Sequence, residues 1–297
     1  MGRVTTLSLF GSVLIWNFGS ENISIKMQNH QTFDSKWKNI AGRKKDEEFS
    51  IFVPPSEKPR TQRQFNLYNY YEFISSVIRG RGYKDAVEIG CGRGTIALYM
   101  TVYEKLRVIC SDSEKSAIYL AMKNFVHFNS TAQFIIADAA KLPIPSESID
   151  ISVSIGLLEH LPVYREILKE QFRILRPGGV IISLNIPKKH SVQDLNRIYR
   201  FVYRLLKPSY PLKPDYFRNT DRPVDYLKQA EMVGFTNAYN VNVNPFPIFT
   251  PLLPRIELLV TLIYRFILGF RRIYSRYPFK TNYALSQAHF LVGFKKK

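Results

Sequence analysis

From Ala86 onward, short apolar runs alternate with stretches of helical periodicity. Five runs rich in valine and isoleucine predict buried strands, at residues 86–89, 106–112, 132–138, 149–155 and 180–186. Helix-like segments follow the first, second and fourth of these runs. Near-continuous apolar strands joined by helices are typical of a parallel sheet that is covered on both faces. The pattern therefore predicts an α/β fold with a doubly wound, mostly parallel sheet.

A glycine loop directly follows the first predicted strand. Gly90, Gly92 and Gly94 occupy alternate positions, and Glu88 precedes them. Inside a strand or helix, glycine lowers the stability by roughly 0.5–1 kcal/mol relative to alanine. Three glycines here therefore indicate a purpose other than packing, such as close approach of a ligand to the backbone. A glycine loop at the carboxyl end of a strand is the place where α/β sheets bind nucleoside cofactors.

Acidic residues stand at the ends of three predicted strands. Glu88, Asp112 and Asp138 fall at the ends of the first, second and third strands, and Asp112 follows the glycine loop by about the spacing of a ribose-binding carboxylate. As single residues, Asp112 and Asp138 fit helix or turn caps equally well. Together with the loop they favour a cofactor site.

The chemistry of this set favours S-adenosylmethionine over NAD. A dehydrogenase loop usually reads GxGxxG, whereas the glycines here are two residues apart. A carboxylate such as Glu88 would repel a pyrophosphate but attract an ammonium or sulfonium group. An NAD-dependent oxidoreductase is an alternative that the glycine spacing opposes.

Four motifs in order resemble the class I S-adenosylmethionine-dependent methyltransferases, in particular their ubiquinone/menaquinone-biosynthesis-like (type 11) branch. The motifs are VEIGCGRG, CSDSEKSA, IIADAAKLPIPSESIDISVSIGLLEHLP and LRPGGVIISL, and they span about 100 residues. The resemblance implies S-adenosylmethionine as cofactor, no metal, and a seven-stranded sheet whose last strand is antiparallel. In that fold, residues 223–244 correspond to a late helix and the sixth strand, and residues 288–297 to the last strand.

The resemblance also implies roles for individual residues. Gly90, Cys91 and Gly92 would line the methionine end of the cofactor, with Glu88 supporting its amino group, and Gly94 would complete the cofactor-binding loop. Asp112, with Ser113 beside it, would bind the ribose. Asp138 and the Ala139 backbone would contact the adenine, and Ser154 and Ile155 would contribute backbone contacts to the methionine part. The RPGG sequence would be a structural turn before the fifth strand.

Two enlarged connections would begin at the cofactor edge and accommodate the methyl acceptor. We expect an N-terminal extension over residues 1–60 and a methyltransferase domain over 61–297, with insertions at about 187–222 and 251–280. In the second insertion, Leu259 and Phe266 lie on an apolar side of a helix, opposite Arg265. This pattern fits an anionic membrane surface, and it fits equally a lid helix packed on its own domain.

Charge favours an acidic or membrane-bound partner. The net charge is +18, and residues 186–297 alone carry an excess of 13 positive charges, whereas the central 85–185 is nearly neutral. We expect a small-molecule or lipid-like acceptor. The basic, tyrosine-rich first insertion leaves RNA as a lower-ranking alternative, because no RNA-binding motif is present. A non-catalytic scaffold that binds acidic partners is a further alternative.

Two histidines are candidate catalytic bases, should the acceptor have to lose a proton. His160 follows the fourth strand, with Glu159 as its partner, and His190 lies in the first insertion. A structural role for either histidine is the competing interpretation.

Sequence signals for compartment are weak. Cys91 and Cys110 form no disulfide framework, which favours a cytoplasmic protein with peripheral membrane contact as an option. The apolar residues 7–18 are too few to span a bilayer, and the start MGRVTT fits only a short myristoylation pattern.

Overall fold

The computed structural model describes residues 37, 38, 40, 50–209 and 216–297, together with the backbone of residues 5–6 and 14–15. Most of the apolar segment 7–18 therefore lies outside the described residues. Within the described residues, no helix is both long and apolar enough to cross a membrane.

The described part of the chain contains two sheets. Strands β1 (Thr5–Thr6) and β2 (Leu14–Ile15) form a short antiparallel pair. The main sheet contains β3 (Asp85–Ile89), β4 (Arg107–Asp112), β5 (Gln133–Ile136), β6 (Ile149–Ile155), β7 (Leu175–Asn185), β8 (Thr236–Val243) and β9 (Ala288–Phe294). The helices are α1 (Gln62–Ile78), α2 (Thr95–Glu104), α3 (Lys115–His127), α4 (Arg165–Ile174), α5 (Asp194–Leu206), α6 (Pro223–Val233) and α7 (Pro254–Arg271).

The main sheet has the order β5-β4-β3-β6-β7-β9-β8. Its first five members pair in parallel, and β9 is antiparallel to both of its neighbours, β7 and β8. The predicted seven-stranded, mostly parallel fold is confirmed. From β3 the chain continues outward through β4 and β5 on one side, and then returns to form β6 on the other side of β3. Parallel sheets form their ligand crevice at such a reversal of strand order, which here lies beside β3.

Alternate residues along each strand enter different core layers. Ala86 packs into the layer beneath α1 and α2, whereas Val87 packs into the layer beneath α4 and α6. On β7, Ile181 shares the second layer, and its neighbours Val180 and Ile182 share the first. Burial on both faces explains why these strands are apolar throughout instead of alternating with polar residues.

Two boundaries differ from the sequence prediction. Strand β5 ends at Ile136, so Asp138 lies two residues beyond it. The RPGG sequence is not a turn before β7, because β7 already begins at Leu175 and contains it. Pairing with β6 carries a bulge at this point, and Gly178 adopts a positive φ of 82° within it. A bulge accommodates the extra residues without ending the ladder.

Packing on the core begins before the predicted domain boundary. Phe52 and Val53 are buried, and the Val53 amide donates to the Tyr99 hydroxyl of α2 at 3.1 Å. The division at residue 60 stays a prediction.

Opposite the cofactor edge, charged side chains tie the amino ends of three strands together. Asp150 of β6 accepts hydrogen bonds from the amides of Lys84 and Asp85, at 2.8 and 2.9 Å, and from Arg176 at 2.7 Å. Burial raises the pKa of Asp150, but these hydrogen bonds and the Arg176 charge outweigh it, so the net pKa is lowered. This carboxylate stabilises the folded state above its unfolded pKa of about 3.9, and the contribution is lost as the pH falls through the lower folded value.

We therefore expect Asp150→Asn to lower the free energy of unfolding at pH 7 by about 1–3 kcal/mol, because charge-assisted hydrogen bonds to the backbone are weakened. The deficit should shrink as the pH falls from about 4, where the carboxyl of the unfolded chain becomes protonated, through the lower pKa of the folded state. Urea denaturation at several pH values measures this. Glu166→Gln is the matched control, since Glu166 and its partner Lys169 are both more than half exposed and their ion pair should contribute little. Equal losses in the two variants would contradict the prediction.

Candidate cofactor and acceptor site

The loop between β3 and α2 follows a path that only glycine adopts readily. Gly90, Gly92 and Gly94 all have positive φ, at 67°, 53° and 67°. The Cys91 amide donates to the Ser111 carbonyl of β4 at 3.0 Å, which fixes the loop against the neighbouring strand. Gly94 then begins α2 as its N-cap residue. The glycines thus bring bare backbone to the carboxyl edge of the sheet, as the sequence predicts.

Glu88 holds the start of α2. Its Oε2 accepts a hydrogen bond from the Ala97 amide at 2.8 Å, so the side chain supplies the cap that Gly94 lacks. The side chain is buried, and burial raises its pKa to about 8 despite the bond from Ala97, with Asp112 adding to the rise. A cation bound nearby would favour the charged form of this carboxyl.

Asp112 connects the end of β4 to the glycine loop. Its Oδ2 accepts from the Gly92 amide at 2.9 Å, and its Oδ1 accepts from the Glu114 amide at 3.0 Å. The residue is nearly buried, at 9% exposure, and lies where a ribose would be expected. Ser113, which follows it, is exposed.

Asp138 fits the turn-cap interpretation as well as the adenine-binding one. It is exposed, and its Oδ1 accepts from the Ala140 amide at 2.9 Å. The Ala137 amide donates to the Asp112 carbonyl, at 3.0 Å, so the third strand tip adjoins the second. Ala139 is partly buried in the same turn.

The fourth predicted strand tip also lies in this crevice. Ile89 of β3 is paired with both Ser111 of β4 and Ser154 of β6, so the three tips are adjacent. Ser154 is buried and donates to the Ser183 hydroxyl at 3.0 Å, while Ile155 is only partly buried. The structure therefore brings together all the predicted cofactor residues along one edge.

Two apolar side chains lie against the glycine loop. A Cβ on Gly92 would come within 2.7 Å of the Trp37 indole, and one on Gly90 would come within 3.1 Å of Leu157. Trp37 is half-buried and packs with Ile40 and with Leu120 of α3. Any larger residue at Gly92 would displace this indole. Part of the N-terminal region thus covers the loop that the sequence predicts to bind the cofactor.

The polar groups of this site suit a cationic nucleoside. Its carboxyl groups come from Glu88 and Asp112, and the bare loop allows close approach to the backbone. Two buried hydroxyl groups beside the loop, on Thr95 and Ser111, have no hydrogen-bond partner among the described residues. Unpaired buried polar atoms of this kind are expected where a ligand supplies the partner. Within the described residues, no group of ligands suited to a metal ion is found.

The two predicted catalytic histidines occupy different environments. His160 closes a short 3₁₀ helix, Leu158–His160, and its Nδ1 lies 2.7 Å from the Phe217 carbonyl. His190 is 95% exposed, and its Nδ1 lies 3.1 Å from an Asp194 carboxylate oxygen at the start of α5. The geometry assigns each ring a structural partner and leaves the catalytic role of either histidine a prediction.

Comparison with known proteins agrees with this geometry. The family model described as a methyltransferase domain matches residues 87–183, from β3 to β7. A demethylmenaquinone methyltransferase from Oceanobacillus iheyensis is 25% identical over 177 residues, covering 52% of this chain and 73% of its own. One from Geobacillus stearothermophilus is 27% identical over 174 residues, covering 52% and 74%.

Residues 87–183 therefore form an S-adenosylmethionine-dependent methyltransferase domain, and the chain is similar to the menaquinone-biosynthesis-like branch of the class I enzymes.

Solved structures show the same fold at low identity. The methyltransferase resembles the [4+2]-cyclase SpnF with a TM-score of 0.56 and 13% identity, covering 91% of this chain and 96% of that one. It resembles phosphoethanolamine N-methyltransferase 2 of Haemonchus contortus, solved with S-adenosylmethionine, with a TM-score of 0.55 and 14% identity, covering 94% and 61%. One fold here carries different chemistries, so the acceptor must be argued from the site itself.

The sequence predicts no role at the site for Trp37 or Asn219, and only a secondary role for Glu159. Trp37 lies some 50 residues before the glycine loop, and no local pattern links the two. Asn219 anchors the first insertion to the loop after β6, through its own amide to the Glu159 carbonyl at 2.7 Å. The sequence prediction includes Glu159 only as the partner of His160, although an acidic residue within the apolar LLEHL sequence indicates a buried carboxyl.

Trp37 offers a direct reporter of cofactor binding. We expect S-adenosylmethionine to change the intrinsic fluorescence of the methyltransferase, because the indole contacts Gly92 of the cofactor loop. The chain has two tryptophans, so Trp16→Phe is the matched control and should retain the change, whereas Trp37→Phe should lose it. A titration in which Trp37→Phe keeps the full signal would show that the indole lies away from the bound cofactor.

Proposed function

We propose that this methyltransferase transfers the methyl group of S-adenosylmethionine to a lipid-like small molecule while bound to an anionic membrane surface. The observation that carries the proposal is the exposed apolar face of α5 and α7, the helices of the two insertions, which also carry basic residues. The acceptor and the membrane contact are both inferred from it.

Helix α7 exposes the side that an ordinary surface helix would bury. Leu259, Phe266 and Phe270 are 56%, 78% and 58% exposed. The side that packs on the domain instead contains Thr261, Tyr264 and Leu268. The alternative of a lid helix burying its apolar stripe does not fit this orientation. A stripe of large apolar side chains facing solvent marks a lipid or protein interaction site.

Helix α5 extends the same surface. None of its residues is buried, and Ile198, Phe201 and Leu205 are 62%, 66% and 68% exposed. Arg197 and Arg204 are exposed on the same helix, and the exposed Lys207 follows its last residue. Basic and apolar residues together on an exposed helix are the composition of an interfacial membrane helix.

The two helices belong to one region of the surface. Asn196 of α5 accepts from the Thr250 amide at 3.1 Å, and Tyr199 packs its ring against Phe249. Both of these partners come shortly before α7 begins at Pro254. We name the exposed apolar residues of α5 and α7 the insertion surface. A single surface of this extent can enter the headgroup region as a unit.

The position of the two insertions relative to the cofactor edge supports a lipid-like acceptor. Helix α5 follows β7, and α7 precedes β9, so both insertions connect elements at the carboxyl edge of β7. The related proteins named above act, by their names, on demethylmenaquinone, which supports an apolar acceptor for this chain. An acceptor dissolved in the membrane would reach the site from the insertion surface.

The chain's part in the chemistry is to bind and orient. Bound S-adenosylmethionine supplies an electrophilic methyl group on a sulfonium. We propose that Asp112 holds the ribose, that Glu88, the loop from Gly90 to Gly94 and the backbone of Ser154 and Ile155 hold the methionine part, and that Asp138, Ser113 and Ala139 lie along the adenosine. In-line transfer depends chiefly on alignment and exclusion of water.

Two other functions are less well supported. RNA methylation would use the basic insertions, but the sequence contains no RNA-binding motif to support it. A non-catalytic scaffold would not need the buried carboxylates and bare loop of the cofactor edge.

The ribose assignment has a direct test. Asp112→Ala should raise the dissociation constant for S-adenosylmethionine by roughly 10- to 100-fold, corresponding to about 1–3 kcal/mol of lost charge-assisted hydrogen bonding. Isothermal titration calorimetry measures this, and circular dichroism checks the fold. Asp150→Asn removes a carboxylate at the opposite edge and should leave the affinity unchanged. A folded Asp112→Ala variant with wild-type affinity would place the ribose elsewhere.

The membrane assignment is tested by sedimentation with vesicles. The protein should bind mixed phosphatidylglycerol and phosphatidylcholine vesicles, and should bind pure phosphatidylcholine vesicles more weakly. Replacing Leu259, Phe266 and Phe270 by serine should weaken binding by about tenfold or more, since three large side chains lose their apolar insertion.

A matched triple variant controls for general loss of surface apolarity. Val126, Val163 and Met232 are 70%, 75% and 66% exposed but lie outside the insertion surface. Their replacement by serine should leave vesicle binding intact. Equal loss in the two triple variants, or no vesicle binding by the wild type, would exclude the insertion surface as the membrane contact.

A further inference from the structure

We propose that Lys189 and His289 form a subsite for an oxyanion, a carboxylate or phosphate group, that the methyl acceptor carries. The inference rests on the proposed function, since it gives the lipid-like acceptor of the same site an acidic head group. The subsite lies where the two insertions meet the carboxyl edge of the sheet. Lys189 supplies the charge of the subsite, and His289 supplies a neutral hydrogen-bond donor.

Lys189 joins the bases of the two insertions. It follows the end of β7, and its Nζ donates to the Tyr283 carbonyl at 2.9 Å and to the Ser286 hydroxyl at 2.7 Å, shortly before β9. The same Nζ lies 3.9 Å from the centre of the Tyr283 ring. An ammonium group has three N–H donors, so the chain itself uses two of them and leaves one for a ligand.

The charge of Lys189 has no anion to balance it. Among the residues that the structure describes, the contacts of its ammonium group are a carbonyl, a hydroxyl and an aromatic ring, and none is a carboxylate. Burial lowers the pKa of Lys189 to about 8, which reflects the desolvation cost of a half-buried cation. Residues 186–297 also carry an excess of 13 positive charges, so the local field favours an anionic ligand.

His289 adds an unpaired polar atom near this ammonium group. It is 1% exposed, its ring packs edge-on against Tyr226 of α6, and its Nε2 has no hydrogen-bond partner in the described part of the chain. Burial and, to a smaller extent, the Lys189 charge lower the pKa of His289 to about 3, so the ring is neutral at pH 7. In the tautomer with its hydrogen on Nε2, a neutral imidazole donates one hydrogen bond, which an oxyanion beside Lys189 would accept.

The subsite lies on the acceptor side of the cofactor edge. Asn185, the last residue of β7, is paired with His289 of β9, and Ser183 of β7 is paired with Ser154 of β6. Adjacent strands are about 4.8 Å apart, so His289 lies two strands, or roughly 10 Å, across the sheet from the β6 tip at which we expect the cofactor. An acceptor whose oxyanion is this far from its methyl-accepting atom would span the two positions.

The surroundings of the subsite suit an amphiphile better than a free ion. The partly exposed Tyr283 ring offers an apolar contact, and α5, which belongs to the insertion surface, begins at Asp194, shortly after Lys189. An oxyanion attached to a hydrocarbon body would use both. On the β8 side of His289, Asn242 has an unpaired Oδ1, an acceptor that suits a hydroxyl or a water and not an anion. We therefore assign the oxyanion to the Lys189 side of the imidazole.

The test titrates the S-adenosylhomocysteine complex of the full chain with octanoate, octyl phosphate and 1-octanol by isothermal titration calorimetry. Binding of S-adenosylhomocysteine is measured first, since a wild type that fails to bind it refutes the proposed function and not merely the subsite. Inorganic phosphate is the probe that separates a free ion from an anion carried by the acceptor. The variants are Lys189→Met, Lys189→Arg and His289→Phe. Lys188→Met is the matched neighbour, because Lys188 is exposed and carries the same charge.

The affinities should follow the charge of residue 189. The wild type should bind both octyl anions, and should bind 1-octanol and inorganic phosphate about tenfold or more weakly. Lys189→Met should raise the dissociation constant for octanoate by roughly 10- to 100-fold, as expected when a charge-assisted hydrogen bond is lost. Lys189→Arg should recover part of the affinity. His289→Phe should raise the constant by roughly 2- to 10-fold, as expected for a neutral hydrogen bond, and Lys188→Met should leave it unchanged.

Proton uptake gives a second readout, which a purely structural lysine would not produce. An anion bound beside Lys189 favours its charged form, so octanoate binding at pH 8 should take up as much as about half a proton per site. Titrations in two buffers with different ionisation enthalpies measure this uptake. Octanoate is ionised and His289 is neutral at this pH, so neither contributes. Lys189→Met should show no uptake.

Other results would overturn the proposal. Equal affinity for octanoate and 1-octanol, or equal losses in Lys189→Met and Lys188→Met, would exclude a specific oxyanion subsite. Equal affinity for inorganic phosphate and octyl phosphate would indicate a free-ion site and refute the acceptor assignment. A wild type without proton uptake, together with a Lys189→Met variant of lower thermal stability, would show a lysine that only joins the two insertions. Octanoate binding that is lost when Leu259, Phe266 and Phe270 are replaced by serine, but kept in Lys189→Met, would assign it to the insertion surface.

Discussion

The cofactor edge of this methyltransferase depends on buried carboxylates that accept hydrogen bonds from the main chain. Glu88 caps helix α2 through the Ala97 amide, and Asp112 holds the Gly92 amide of the intervening loop. A loop with three residues of positive φ has little stability of its own, because glycine has the most conformational freedom to lose. The acidic residues at the strand tips therefore shape the loop as well as supplying charge for a cationic ligand.

The acceptor side of the sheet follows a different principle. There the chain departs from the plain fold through two insertions whose helices keep their large apolar side chains in solvent. The first insertion also reaches back, through Asn219, to fix the 3₁₀ helix after β6. The first insertion thus contributes to the insertion surface through α5 and also fixes the 3₁₀ helix after β6.

Burial gives neighbouring acidic residues different tasks. Glu88 and Glu159 are both buried and both have a raised pKa, yet the Glu88 Oε2 accepts from the Ala97 amide, whereas the Glu159 Oε2 has no hydrogen-bond partner among the described residues. Asp150, at the other edge, has three strong donors and a lowered pKa, as expected of a structural carboxylate. The number of hydrogen-bond donors and the nearby charges, together with burial, therefore decide the direction in which the pKa of each carboxyl moves.

The sequence by itself determined the sheet, the glycine loop and the acidic strand tips, because periodicity, backbone freedom and strand ends are local properties. It left open where side chains meet across long separations. Only the tertiary structure decided that Trp37 covers Gly92, that RPGG continues β7 as a bulge, and that Glu159 is buried beside Gly156. Helical periodicity found the apolar side of α7 but could not tell whether that side faces the core or solvent. The side of α7 that is buried depends on the space that the rest of the fold leaves beneath the helix. In this structure the buried side contains Thr261, Tyr264 and Leu268.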